Sequence, residues 1–293
     1  MTVDMTSQAQ RMQDMLTRGE MLQAPGAPDV LTARLVEHAG FNAIYMTGFG
    51  ATASTLGVPD IGLMTQTEML TQARNMVRVT GIPIIADADA GYGGISNIER
   101  TVVEYAHSGV AAIHLEDQVA PKRCGQMAGI RLLSVGESVK RLKCAVQVRG
   151  KHPLQIIGRT DALGVDGIDA AIDRAKAYQD AGVDLAFVDG VKTIAQVEQI
   201  ARRLDGRKVI SIVEGNETTA LSAPQLREMG FSVVLYAVTT LFAAAKTSLD
   251  VLQQLKQSGS TQADASKMMN YTDFVKIVGI DKHQKLDEMF GGE

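Results

Sequence analysis

One pattern constrains the fold of this chain more than any other: a helix-like stretch, a glycine, then an apolar run ending in polar residues. It recurs five times, in "EHAGFNAIYMTG", "VRVTGIPIIADAD", "AHSGVAAIHLED", "QDAGVDLAFVDG" and "REMGFSVVLYAV". Gly40, Gly81, Gly109, Gly182 and Gly230 each fit the left-handed position just past a helix C-terminus. The runs that follow are short, rich in β-branched residues and apolar throughout, as parallel strands buried on both faces must be. "PLQIIGRTD" and "RKVISIVEG" read as strands without that lead-in, and the early "MLQAPGAPD" is an eighth candidate.

Between these runs lie helices. In "DGIDAAIDRAKAYQDAG", Ile168, Ala171, Ile172, Ala175 and Tyr178 fall at helical spacing behind an acidic start. "SNIERTVVEYAHSG" opens on a Ser or Asn cap and would bury Ile98, Val102 and Tyr105. Alternating βα units predict a parallel sheet. Eight strands without a clear linker favour a closed (β/α)8 TIM barrel over an open sheet, as a single domain over residues 1–293. The length suits this, since such barrels take roughly 250 residues.

Charge and composition exclude several classes. A net charge of -4, no Trp and 4% aromatics give neither the basic face nor the stacking platforms of a nucleic-acid binder. No apolar run approaches the roughly 20 residues of a membrane span, and "MTVDMTSQAQRMQDML" has no signal-peptide core. Two cysteines make no disulfide framework, so reduced thiols and a cytoplasmic location are expected.

The polar strand ends carry the chemistry. In chain order they supply Thr47, Asp87 and Asp89, Glu116, Arg159 with Asp161, Asp189, and Glu214. A barrel gathers these on one rim, where active sites of this fold lie. Converging carboxylates repel one another unless a cation joins them, which points to a divalent metal. Asp87 and Asp89 alternate at one strand end, so both are expected on the same face. With Glu116 they form an all-oxygen set suited to Mg2+ or Mn2+ rather than Zn2+. The competing reading makes the aspartates caps of a loop or helix. His114 shares a face with Glu116, yet no second His or Cys stands at ligand spacing, so a hydrogen-bonded barrel histidine is the expected role. His38, His107, His152 and His283 read as surface or helix residues.

"KRCG" places Lys122 and Arg123 beside Cys124, where cations are expected to favour the thiolate. Such a thiol serves as nucleophile or acid-base, against the alternative of an exposed cysteine with no role. Gly125 and Gly129 suggest a mobile loop over about residues 118–132, a lid for the barrel mouth. Cys144, at helical spacing among apolar residues, reads as core. "TGFGATAS" formally matches a dinucleotide-binding glycine pattern, but it follows the second strand and Phe49 crowds it. The amides of Thr47, Gly48 and Phe49 can equally hold a carboxylate.

Together, "YMTGFG", "GVPDIGLMT", "DADAGYG", "HLEDQVAPKRCG" and "GRTDA" resemble the isocitrate lyase/phosphoenolpyruvate mutase superfamily in order and spacing, over nearly the whole chain. The nearest likeness is to its methylisocitrate lyase and dimethylmalate lyase-like members. The resemblance implies a barrel whose last helix swaps between partners to form a dimer of dimers, a homotetramer, with a helical tail over about 246–293 that includes "YTDFVKIVGIDKHQKLDEMF". It implies Mg2+ near Asp87 and Asp89, with Asp60 and Glu116 in the water-linked shell. It gives Thr47, Gly48, Phe49 and Arg159 to a 2-oxo-acid fragment, and it adds Lys122, Gly125, Gln126, Asp189, Ser211 and Glu214 to the substrate-binding set. It also implies that Cys124 serves as the lyase acid-base and that Tyr45 stands close to the substrate hydroxyl.

This chain departs from the family pattern at several of these positions. Gln126 replaces a His that follows "KRCG", Asp189 a Glu, Ser211 an Asn, Ile130 a Lys, and Phe242 an Arg that holds an extra carboxylate. The resemblance therefore implies a Mg2+-dependent carbon-carbon lyase acting on a substituted malate-like 2-hydroxy acid rather than a tricarboxylate. Its expected products are pyruvate or glyoxylate and a second carboxylate. An oxaloacetate hydrolase or decarboxylase on the same scaffold is one rival, and an inactive barrel with a binding or assembly role, motivated by Gln126 and Ser211, is another.

Overall fold

The computed structural model describes residues 7–291. Eight parallel strands close on themselves in sequence order. They are β1 (Leu22–Ala27), β2 (Ile44–Met46), β3 (Ile84–Asp87), β4 (Ala112–Glu116), β5 (Gln155–Thr160), β6 (Leu185–Val188), β7 (Lys208–Ile212) and β8 (Val233–Tyr236). Closure is explicit in the register, with Leu22 opposite Val233 and Gly26 opposite Tyr45. Nearly every strand residue is buried, which explains why the runs carry no polar alternation.

Helix α1 (Gln8–Thr17) precedes the barrel. Its Met12 and Leu16 join one apolar cluster with Leu22, Ile157 and Val233, so α1 plugs the N-terminal end of the barrel and leaves the opposite rim open. Outside lie α2 (Val30–His38), α3 (Gly48–Leu56), α4 (Gln66–Val79), α5 (Ile95–Ser108), α6 (Val135–Arg149), α7 (Leu163–Asp180), α8 (Ile194–Arg203) and α9 (Ala223–Glu228). Four of the five predicted helix-stop glycines are left-handed: Gly40, Gly109, Gly182 and Gly230 have φ of 86°, 88°, 92° and 85°. Gly81 is the exception. Helix α4 stops at Thr80, which is extended, and the Gly81 amide donates to the Glu37 carboxylate at 2.7 Å. Two further details differ from the sequence reading. Gly94, not Ser96 or Asn97, is the N-cap of α5, and Asn97 Oδ1 accepts from the Gly94 amide. Gly167, at φ 84°, kinks the predicted α7 into a short first turn and a main run from Ile168.

The segment between β4 and α6 folds back on itself. Gln118 bridges Leu132 in antiparallel fashion, and the Val119 amide donates to the Arg131 carbonyl at 2.8 Å. After β8 the chain runs into α10 (Thr239–Ser258), α11 (Tyr271–Ile277) and α12 (Ile280–Phe290), so the helical tail starts earlier than residue 246. None of these three helices buries a residue, and Leu252, Met289 and Phe290 are 60%, 69% and 76% exposed. No helix among the described residues is long and apolar enough to cross a membrane.

Candidate active site

The open rim holds a cavity of about 110 Å³. Its polar side is formed by Tyr45, Asp60, Asp87, Arg159 and Asp189, and its apolar side by Phe49, Phe187, Val213, Val238 and Phe242. Thr47, Ser211, Cys124, Gln126 and Ala237 complete the lining. Fifteen residues from strand ends and loops far apart in sequence thus meet as the barrel topology requires.

Thr47 directly follows β2 and caps α3, its hydroxyl accepting from the Gly50 amide at 3.3 Å. The Gly48 amide donates to Asp87 Oδ2 at 3.2 Å, so Asp87 already holds this part of the expected carboxylate cradle. The approach demands glycine, because a Cβ on Gly48 would lie 2.4 Å from Asp87 Oδ2. Phe49 packs edge-on against Phe242, with ring centroids 6.4 Å apart.

Asp87 and Asp89 do not share a face. Strand β3 ends at Asp87, and Asp89 takes a left-handed φ of 47°, so strand alternation no longer applies to it. The Asp89 amide donates to Asp87 Oδ1 at 2.9 Å, while its carboxylate turns to Lys122 Nζ at 2.8 Å in an adjoining cleft. Lys122 also meets Asp60 at 2.7 Å. The cation that joins the acids here is therefore an ammonium. Burial disfavours its charge, but Asp89, Glu116, Asp87 and Asp60 outweigh burial and hold its pKa well above the ordinary lysine value.

Glu116 lies outside the cavity lining. Its side chain is fully buried, both oxygens lack a hydrogen bond, and burial raises its pKa well above the usual range. Asp87 behaves oppositely. Burial would raise it, yet His114, Lys122 and Arg159 hold it down to about 2. His114 donates or accepts at Tyr45 Oη over 3.0 Å, and burial lowers it to about 4, so it is neutral at pH 7, as a hydrogen-bonded barrel histidine should be. Burial also keeps the Tyr45 phenol protonated.

Arg159 rises from β5 into a ring of acids. Nη2 meets Asp189 at 2.7 Å and Asp161 at 2.9 Å, Nε lies 3.6 Å from Glu116, and the guanidinium stacks over Phe187 at 5.5 Å. A lone buried cation of this kind would cost several kcal/mol; the surrounding carboxylates offset that and keep it charged. Burial pushes the Asp189 carboxyl above its ordinary value.

Residues 122–126 cover the mouth. The Cys124 amide donates to the Asp60 carbonyl at 3.1 Å, and a Cβ on Gly125 would meet Asp189 Oδ2 at 2.4 Å. The expected thiolate is not favoured. Lys122 faces Asp60 and Asp89, Arg123 reaches back to the Ala128 carbonyl, and burial pushes the Cys124 thiol up to about 11. Gln126 Oε1 accepts from Asn216 at 3.4 Å, and its buried Nε2 has no partner. Glu214 sits off the cavity lining, accepting from the Thr239 hydroxyl. Cys144 is half-buried on α6 and packs against the core.

The sequence reading missed Asp117, Gln118 and Asn216. Asp117 accepts from Thr160, Tyr178, Arg174 and the Asp161 amide, fixing the β5 end that carries Arg159. Its adjacency to Glu116 at a strand end was a visible signal, but its partners lie on β5 and α7, which only the barrel brings near.

Among the described residues no group of three or more His, Cys, Asp or Glu side chains converges as a ready metal cradle. The donor chemistry nevertheless fits a hard divalent cation: Asp87 is an ionised carboxylate on the cavity wall, and the buried Glu116 oxygens have no hydrogen-bond donor.

A family model described as phosphoenolpyruvate phosphomutase matches residues 12–256. The chain is 38% identical over 282 residues to the 2,3-dimethylmalate lyase of Eubacterium barkeri, covering 96% of this chain and 98% of that one. It is 35% identical to the 2-methylisocitrate lyase of Aeropyrum pernix, covering 94% and 89%. Among solved structures, oxaloacetate acetylhydrolase in complex with 3,3-difluorooxalacetate superposes with a TM-score of 0.93 at 31% identity, covering 98% of each chain.

Proposed function

Because the chain belongs to the phosphoenolpyruvate phosphomutase family, within the phosphoenolpyruvate mutase/isocitrate lyase superfamily, we propose that it is a carbon-carbon lyase cleaving a substituted malate-like 2-hydroxy acid. The products are a 2-oxo acid, pyruvate or glyoxylate, and a second carboxylate. The observation that carries this reading is the meeting of Arg159 and the Cys124 thiol in one small cavity whose far wall is apolar.

The steps follow from the side chains. Arg159, with Thr47 and Phe49 at the α3 N-terminus, anchors the oxo-acid end. The unpartnered Gln126 Nε2 offers a donor to a carboxylate, with Gly125 letting the backbone lie close. Tyr45, protonated and braced by His114, orients the 2-hydroxyl. Asp189, less acidic than an exposed aspartate, takes the hydroxyl proton. As the C–O becomes C=O, the adjacent carbon-carbon bond breaks and its electron pair passes to the leaving fragment as an enolate. Cys124 then gives its proton to the enolate carbon, and the proton on Asp189 restores the thiol through solvent. A thiol held near 11 is a proton donor across the neutral range, which suits this role better than that of a nucleophile.

Membership of this family points to a divalent-metal-dependent mechanism. Mg2+, or Mn2+, would be held by Asp87 with Asp60, Asp89 and Glu116 in its surroundings, and would supply Lewis-acid polarisation of the oxo-acid oxygens. Lys122 in its present place neutralises two of those acids. Ser211 lines the rim around the second fragment, while Glu214, paired with Thr239, stands behind it.

The Phe49–Phe242 wall favours an alkyl branch over a third carboxylate, since each buried methyl adds about 0.8 kcal/mol. The Eubacterium barkeri relative, named for a dimethyl malate, fits the same chemistry. Incubation with a panel of branched 2-hydroxy acids and Mg2+, detecting pyruvate and glyoxylate, tests the reading; no release from any of them overturns it. Oxaloacetate hydrolysis is the second reading, favoured by the fit to oxaloacetate acetylhydrolase, and would appear as oxaloacetate loss without lyase turnover.

The residues 118–132 act as the lid in this scheme. The unburied apolar side chains of α10 to α12 are the surface through which a partner subunit would exchange its last helix and build a homotetramer.

A further inference from the structure

Gln118 stands at the start of the covering segment and takes no part in the reaction as derived. It is 2% exposed. Nε2 donates to the Arg123 carbonyl at 2.7 Å and to Asp161 Oδ2 at 2.7 Å, while Oε1 accepts from the Arg123 amide at 2.8 Å. One primary amide thus clasps both polar groups of a single loop residue and gives its remaining proton to a carboxylate, a combination that needs a donor pair and an acceptor on one rigid plane.

Each end of this clasp touches the site. Arg123 directly precedes Cys124, so fixing its backbone fixes where the sulfur sits. Asp161 receives Arg159 through Nε at 3.1 Å and Nη2 at 2.9 Å, so its orientation sets the guanidinium. Resting on the lid reading above, we propose that Gln118 is a positioning residue, a latch that ties the placement of the Cys124 thiol to the placement of Arg159. The lid peptide and the anchoring cation are thereby brought into register by one side chain. Lifting the loop breaks two hydrogen bonds to Arg123 and frees the amide that steadies Asp161. The latch reads only backbone at position 123, so the Arg123 side chain is dispensable to it.

The test uses thiol reactivity, which needs no turnover. In a Cys144→Ser background Cys124 is the single thiol, and its alkylation by iodoacetamide reports how often the segment lifts. Gln118→Leu keeps the volume and removes all three hydrogen bonds. Alkylation is expected to quicken at least about tenfold, with kcat falling about 30-fold or more, as the loss of several buried hydrogen bonds allows. If Gln118→Leu does not fold, Gln118→Asn serves instead: one methylene shorter, its amide cannot hold the Arg123 backbone and Asp161 together, and alkylation is expected to quicken in the same direction. An unchanged alkylation rate overturns the latch. Faster alkylation in an enzyme that cleaves none of the 2-hydroxy acids sustains the latch and removes the lyase reading instead, so the two failures are distinguishable.

Discussion

Gly125 rests its backbone directly on Arg159: a Cβ at this position would lie 2.8 Å from Nη2. No side chain can be inserted there without moving the loop or the guanidinium. The covering segment and the Arg159 guanidinium are therefore in close contact through a residue that lacks a side chain. Gly125→Ala is expected to lower kcat about 100-fold while leaving the melting temperature within a few degrees, since the barrel core is untouched. Kinetics and a thermal melt check this together, and an unaltered kcat would mean that the segment need not seat this deeply.

Asp87 is the acid best prepared to remain ionised, held down to about 2 in the folded protein. Asp87→Ala is expected to abolish the heat of Mg2+ binding in calorimetry. It also removes the acceptor of the Gly48 amide, so Asp87→Asn, which keeps that acceptor, separates loss of charge from loss of geometry. Normal Mg2+ affinity in both variants would contradict the metal assignment.

Phe242 closes the apolar wall against Phe49. Phe242→Arg is expected to strengthen binding of a tricarboxylic acid about tenfold or more and to weaken turnover of alkyl-branched acids. Competition binding with both ligand types reads the effect, and unchanged selectivity would discredit this side of the cavity as the specificity wall.

The Cys124 thiol is pushed up to about 11 by burial. Its protonated form is the reactive one in the scheme, so the step that uses it keeps its full rate through pH 9 and declines only as pH passes through the folded value. A pH profile of kcat that rises with pH through about 8, a rise absent from Cys124→Ser, would assign the thiolate, not the thiol, to the reaction.

The barrel was legible because its strands are buried on both faces and so leave unbroken apolar runs, five of them opening after a helix stop. Where local rules failed, a tertiary partner had replaced a local one. Gly81 fits a helix-stop glycine, yet extended Thr80 ends that helix and Glu37 takes the free amide. Asp89 was placed by strand alternation, which stops at Asp87 once the chain turns left-handed. The Lys-Arg pair beside Cys124 suggested a thiolate, but sequence adjacency says nothing of direction: Lys122 points to Asp60 and Asp89, and burial decides the thiol. The partners of Asp117 and Gln118 lie up to 61 residues away, beyond any local pattern.

The most direct test of the account is the turnover of Cys124→Ser on the best acid of the panel, measured beside its affinity for oxalate and Mg2+. Release of the 2-oxo acid is expected to fall at least about 100-fold, as removal of a general acid implies, with oxalate affinity changed less than about twofold. Turnover equal to that of the parent enzyme would contradict it, because the sulfur would then have no proton to give.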